Sequence, residues 1–194
     1  MRKIFLFIMA LCLSAIQTYA EGIYTYGESI DFQSGFVGSM WHPYMRLSKY
    51  NSNNDENIEI MLLAVVMKTS DTHHTFPEDT SKLLLKFNDN SIVELDSFGE
   101  TIKDYMCQNI AHNLVDVYFT GRHYIISEDT QKKLLSLPIT KVRIELGNGN
   151  RRDYELSEKH GKKVLKKLQK SFEDVEKVQQ KRIDNANSDL KSDF

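Results

Sequence analysis

Asp71, His73, His74, Glu78 and Asp79 crowd into the stretch DTHHTFPED, and all five are metal-ligand types. Imidazole is the commonest transition-metal ligand, and carboxylates are its frequent partners. The spacing argues against a site. Adjacent side chains diverge on an extended chain, and neither H-x-x-x-H nor H-E-x-x-H occurs here to set two ligands on one helix face. A polar loop between two strands accounts for the run. No metal ligand and no cofactor is therefore assigned.

Nucleophiles fare no better. Cys107 and His112 would form a thiol–base pair if the fold joined them, but nothing in the sequence does so. No G-x-S-x-G elbow is present, and no two carboxylates stand out as an acid/base couple. Gly147-Asn148-Gly149 reads as a hairpin turn, with no helix after it of the kind a phosphate loop requires. No catalytic residue is assigned, and the expectation is a protein that is not an enzyme. A hydrolase or metal-dependent enzyme with a loop-built site is the alternative.

Aromatic residues are dense between Tyr24 and Tyr50: Tyr24, Tyr26, Phe32, Phe36, Trp41, Tyr44 and Tyr50. Exposed rings can stack on sugars. In a β-protein they more often fill strands and core, and that reading is preferred over a glycan platform. Trp41, beside a turn, is the residue that separates the two.

These groups must be placed by a fold, and the chain's first twenty residues say where that fold works. Arg2 and Lys3 precede an apolar run from Ile4 to Ile16, and Thr18-Tyr19-Ala20 offers a small residue before Glu21. Charged start, apolar centre and small residue at the cut are the marks of a secretory signal peptide. The run is shorter than the ~20 apolar residues a spanning helix needs. Export to the periplasm or beyond is expected. A lipid anchor on Cys12 is disfavoured, because Leu11 stands where a small residue is usual. Removing Arg2 and Lys3 from 25 basic residues, against 27 acidic ones, leaves a formal charge of −4. That balance excludes a dedicated nucleic-acid binder. No transmembrane segment is expected in the mature chain. Cys107 becomes its one thiol, which reads as a small buried apolar group.

Most of the mature chain has strand periodicity. Ile23 to Gln33 is split by Gly27, and Met45 to Tyr50 follows a turn at His42-Pro43. Ile58 to Met67 is apolar on both faces, as a central strand must be. Leu83, Leu85 and Phe87 alternate with polar positions up to a turn at Asn88-Asp89-Asn90, and Val93 and Leu95 return. Phe98 to His112 shows no clear pattern, after which Val115, Val117 and Phe119 alternate again. Ser127 caps a short helix that Pro138 ends. Ile139 to Leu146 is a strand, turned by Gly147–Asn150 into another ending at Leu156. Ser157 then caps a long helix. Val164, Leu165, Leu168, Phe172, Val175, Val178 and Ile183 share one stripe, and Lys159, Lys162, Lys166, Lys170 and Lys177 lie opposite. The division is a signal peptide at 1–20, a β domain at 21–156, a helix at 157–183 packed on it, and a disordered tail at 184–194. The fold expected is mainly β: a two-sheet antiparallel sandwich, immunoglobulin-like or related, with one short helix and a long C-terminal amphipathic one. An α+β layer with the last helix across a sheet is the alternative. The far end of that helix is expected to overhang the core.

The segments LLLKFNDNSIVELD (83–96), YIISEDTQKKL (124–134) and ITKVRIE (139–145), followed by a lysine-rich helix, together resemble small exported proteins of Bacteroides-type bacteria. In those proteins a K-F-x-D/N-x hairpin precedes a Y-x-I-S-E element, a short helix and a K-x-R-I-E strand. The resemblance spans roughly Leu83 to Phe172 and departs from the pattern at Asn90, where glycine is usual. It implies an immunoglobulin-like or related β-sandwich and carries over no catalytic residue. The function expected is that of an exported binding or accessory protein of a bacterial cell envelope, with a protein or glycan partner. A structural or inhibitory protein that pairs strands or helices is a further alternative.

Overall fold

The computed structural model describes residues 22–32, 42–52, 59–69, 82–110, 113–145 and 150–192. In order, the elements are β1 (Gly22–Tyr26), β2 (Ile30–Asp31), β3 (His42–Ser52), β4 (Glu59–Thr69), β5 (Lys82–Phe87), β6 (Ile92–Ile110), β7 (Asn113–Ile125), α1 (Glu128–Ser136), β8 (Ile139–Glu145), β9 (Arg151–Glu155) and α2 (Glu158–Ser192). The class is the one the periodicity predicts: mainly antiparallel β, a short helix and a long C-terminal helix.

The strands bond in the order β1-β3-β4-β7-β6-β5-β8-β9, with β2 also against β3. In place of two separately bonded sheets, one ladder path runs through β6. Residues 92–96 of that strand pair with β5, and from Ser97 onward it pairs with β7. The register shifts between Phe98 and Ile102, where Gly99 adopts φ of 67°. A glycine in the left-handed region is the signature of a bulge that bends a strand. The ladder takes four steps on β6 for two on β7 there, and the extra residues interrupt the alternation of a 19-residue strand from Phe98 on.

One apolar cluster joins both halves of the sheet to the helices. Met45, Leu47, Leu63 and Val65 come from β3 and β4, Leu83, Leu85, Val142 and Ile144 from β5 and β8, and Val164 and Leu168 from α2. Leu62 to Met67 are all at most 1% exposed, so β4 is buried on both faces as its composition requires. The 88–90 turn forms with Asn90 at φ of 67°, doing the work of the usual glycine.

Helix capping follows the sequence. Thr130 N donates to Ser127 Oγ at 3.3 Å at the start of α1, and His160 N donates to Ser157 Oγ at 3.3 Å at the start of α2. α2 then crosses from β8 to β1–β3, the helix-on-sheet feature of the α+β alternative. It is held along its length. Gly161 passes so close to β8 that a Cβ there would lie 2.5 Å from the Ile139 carbonyl oxygen. Farther on, Lys49 Nζ donates to Glu176 Oε1 at 3.0 Å, and Arg182 Nη1 donates to Thr25 Oγ1 at 2.7 Å. The expected overhang therefore begins later than Val175. Val178 is nevertheless 41% exposed, and the Ile183 side chain lies outside the described residues. The helix continues to Ser192, into the segment expected to be disordered. That segment holds neither proline nor glycine, so nothing in it stops a helix already propagating.

The far edge of the sheet is charged. Arg143 binds Asp153 through two hydrogen bonds of 2.6 and 2.8 Å, which with Lys141 hold that carboxyl well below the usual carboxylate range. Charges along an edge strand discourage pairing with another chain. Among the described residues, no helix is long and apolar enough to cross a membrane.

Candidate functional site

Strand alternation sends Met45, Leu47 and Lys49 of β3 toward α2, and Tyr44, Arg46, Ser48 and Tyr50 to the opposite face. Register then assembles that outer face row by row. Phe98 of β6 pairs with His123 of β7, His123 with Ala64 of β4, and Ala64 with Arg46 of β3. In the next row Leu62 pairs with Ser48, and Ser48 with Tyr26 of β1. In the row beyond, Tyr50 pairs with Tyr24.

The large side chains lean together over the small ones. Tyr24 and Tyr26 stack at a centroid distance of 5.8 Å with their planes 8° apart. His123 joins them at 4.8 Å and 21° from Tyr24 and at 5.9 Å and 24° from Tyr26. Three rings are thus nearly parallel. Tyr50 tilts against Tyr24 at 5.0 Å, and Phe98 meets Tyr50 edge-on at 5.4 Å. The Arg46 guanidinium carbon lies 4.2 Å from the centroid of Tyr26, a cation–π contact. For rings on β1 to reach His123 on β7, they must pass over β3 and β4. Ser48 and Ala64 leave that space, and both are completely buried.

Electrostatics fix the protonation of the cluster. Burial, with the Arg46 charge as a lesser cause, lowers His123 to about 4, so its imidazole is neutral at physiological pH. Its Nε2 lies 3.3 Å from the Tyr26 hydroxyl. Burial raises both Tyr24 and Tyr26, with Arg46 partly opposing this at Tyr26. Among the described residues the face therefore offers phenol hydroxyls, a neutral imidazole and the Arg46 guanidinium, with the charges of Glu100 and Asp104 close enough to act on Tyr24 and Tyr44. Tyr26 is 40% exposed, and Tyr24, Tyr50, Phe98 and Arg46 are half-buried. Such an arrangement can stack on a ring and exchange hydrogen bonds with its substituents. It holds no activated nucleophile.

Comparison with protein-family models, curated proteins and solved structures finds no match. The site therefore rests on its own geometry.

Of the aromatic residues singled out in the sequence, Tyr24, Tyr26 and Tyr50 come together on the outer face, and Tyr44 lies half-buried on the same side. Phe32 is core, edge-on to Tyr154 at 5.3 Å. The preference for core packing thus holds for Phe32 but not for the Tyr24–Tyr26–Tyr50 group. Phe36, Trp41, Asp71, His73, His74, Glu78, Asp79 and His112 lie outside the described residues, as do residues 1–20. Cys107 stands in β6 opposite Asp116 in the register. Among the described residues, no three His, Cys, Asp or Glu side chains are grouped to hold a metal ion. Sequence reasoning missed Arg46, Phe98 and His123. The signal for His123 was available: extending the Val115–Val117–Phe119 alternation puts it on the same face as Phe119 and opposite the buried Tyr124.

Proposed function

We propose that this chain is an exported, non-enzymatic binding protein of a bacterial cell envelope, and that it binds a saccharide on the outer face of β1, β3, β6 and β7. Export rests on the Arg2–Ala20 leader and on the resemblance to exported Bacteroides-type proteins. The observation that carries the binding reading is the near-parallel stack of Tyr24, Tyr26 and His123, open to solvent at Tyr26. Sugar rings present C–H faces that pack on aromatic faces, and tyrosine adds a hydroxyl at its rim. The titratable pair in contact, Tyr26 and His123, is pushed toward its neutral form on both sides. That suits hydrogen bonding to hydroxyls better than proton shuttling at pH 7.

The test is binding of the mature protein to an immobilised glycan panel, with Tyr26→Ala beside wild type. Wild type is expected to retain at least one glycan, and the variant to lose about tenfold in affinity, as for an aromatic anchor of a binding site. A wild-type protein that binds no glycan, or an unchanged Tyr26→Ala, refutes the assignment.

A further inference from the structure

Resting on that reading, we infer that the saccharide is acidic: its carboxylate or sulfate is met by Arg46 while its ring packs against the exposed edge of Tyr26. Three observations converge. First, among the described residues no carboxylate pairs with Arg46, although ion pairs join many of the chain's other cations, among them Lys49, Lys82, Lys141 and Arg143. The carboxylates of Glu100 and Asp104 act on Tyr24 and Tyr44 of this face, but neither is in ion-pair contact with Arg46, which leaves its guanidinium able to take an anion. Second, Arg46 Nε is buried and has no hydrogen-bond partner. A buried donor left unmade carries a desolvation cost that an acceptor from outside would relieve. Ser48 Oγ, two residues along on the same face, is fully buried and likewise unpartnered, so the protein leaves two polar groups of this face unused. Third, the guanidinium is already oriented by the Tyr26 ring, and a guanidinium so placed offers a fork matched to two acceptor oxygens. A neutral sugar would offer Arg46 only uncharged hydroxyl acceptors, without the charge-assisted two-oxygen pairing.

The burial of His123 sharpens the selectivity. Its imidazole stays uncharged near neutral pH, so among the described residues of the aromatic cluster Arg46 is the cation that meets the acidic group.

The experiment is calorimetric titration of the mature protein with polygalacturonate, hyaluronan and chondroitin sulfate oligomers. Each is set against its counterpart with carboxyls reduced to alcohols and, for chondroitin, sulfates removed. At least one acidic oligomer should bind about tenfold or more tightly than its neutral counterpart, as charge-assisted hydrogen bonds require. The advantage should shrink as salt is raised. Arg46→Met should abolish the difference, and Arg46→Lys should restore only part of it. Equal binding of acidic and neutral forms, or a preference that survives in Arg46→Met, overturns the acidic assignment while leaving saccharide binding in place. Absence of binding to any oligomer, charged or neutral, counts against both. If Arg46→Met does not fold, the wild-type pairs and Arg46→Lys decide the matter alone.

Discussion

Tyr24 and His123 stack with ring centroids 4.8 Å apart, although β3 and β4 lie between their strands. A bridge of that span needs a low floor. Ala64 supplies it, lying in register directly between Arg46 and His123. Ala64→Leu should therefore force the rings apart and destabilise the fold by about 1–3 kcal/mol, the usual cost of overpacking. Ser48→Ala should behave differently. It removes a buried hydroxyl without a partner, so stability should be unchanged or raised by up to about 1 kcal/mol. Urea midpoints of the two variants separate these outcomes; a Ser48→Ala that is clearly less stable would mean the hydroxyl is in use.

His123 gives the face a pH signature. Its proton affinity is lowered from the ordinary histidine value to about 4 in the folded chain. Between pH 6.5 and 4 the unfolded chain binds a proton at this site that the folded chain refuses, so stability rises with pH across that window. Its contribution is present above 6.5 and falls progressively as pH drops toward 4, by at most about 3 kcal/mol. His123→Phe keeps a ring in the stack and removes the titration. The difference in unfolding free energy between wild type and His123→Phe, measured from pH 7 to pH 4, should shift in favour of the variant as the pH falls. A flat difference would show that the folded and unfolded chains protonate this imidazole alike, so that burial does not hold it neutral.

How much of this was legible beforehand depended on whether one face of an element had a single job. β5, β8 and α2 each bury one side, so Leu83, Leu85, Val142, Ile144, Val164 and Leu168 could be placed from period alone. β4 was legible for the opposite reason, being apolar on both faces from Met61 to Met67. The outer aromatic face was harder. Tyr24, Tyr26 and Tyr50 were visible as an aromatic group. That they are joined by Arg46, Phe98 and His123 depends on register across five strands, which no local pattern encodes. β6 hid its own continuation, because the bulge at Gly99 inserts extra residues into the alternation shortly after the strand changes partners.

Lys49 anchors α2 to the sheet. It is 6% exposed and lies between Glu59 and Glu176. Burial works against its charge, but the hydrogen bonds it donates to both carboxylates prevail and raise its pKa. Removing both acids should thus be worse than removing the lysine. Glu59→Gln with Glu176→Gln strands a buried ammonium and should cost roughly 2–4 kcal/mol, whereas Lys49→Met, which fills the same space with an apolar chain, should cost under about 2 kcal/mol. Thermal unfolding of the two variants provides the ranking. The reverse order would show that the carboxylates contribute little to holding the helix.

Gly161 sets how closely that helix approaches β8. In an exposed helix, Gly→Ala stabilises by about 1 kcal/mol. Here the added Cβ would lie 2.5 Å from the Ile139 carbonyl oxygen and 3.4 Å from Pro138 Cβ. Backbone cannot retreat as a flexible side chain can, so α2 would have to lift from the sheet along its first turns. The clash should outweigh the propensity gain and leave Gly161→Ala about 1–3 kcal/mol less stable. Lys162→Ala is the control: the next position along is exposed and should change stability by less than about 0.5 kcal/mol. Hydrogen exchange sharpens the test, since lifting α2 should speed exchange in β8 and early α2 while leaving β3–β4 protected. If Gly161→Ala is as stable as wild type, the helix has room to spare, and the close approach is not what fixes α2 across the sheet.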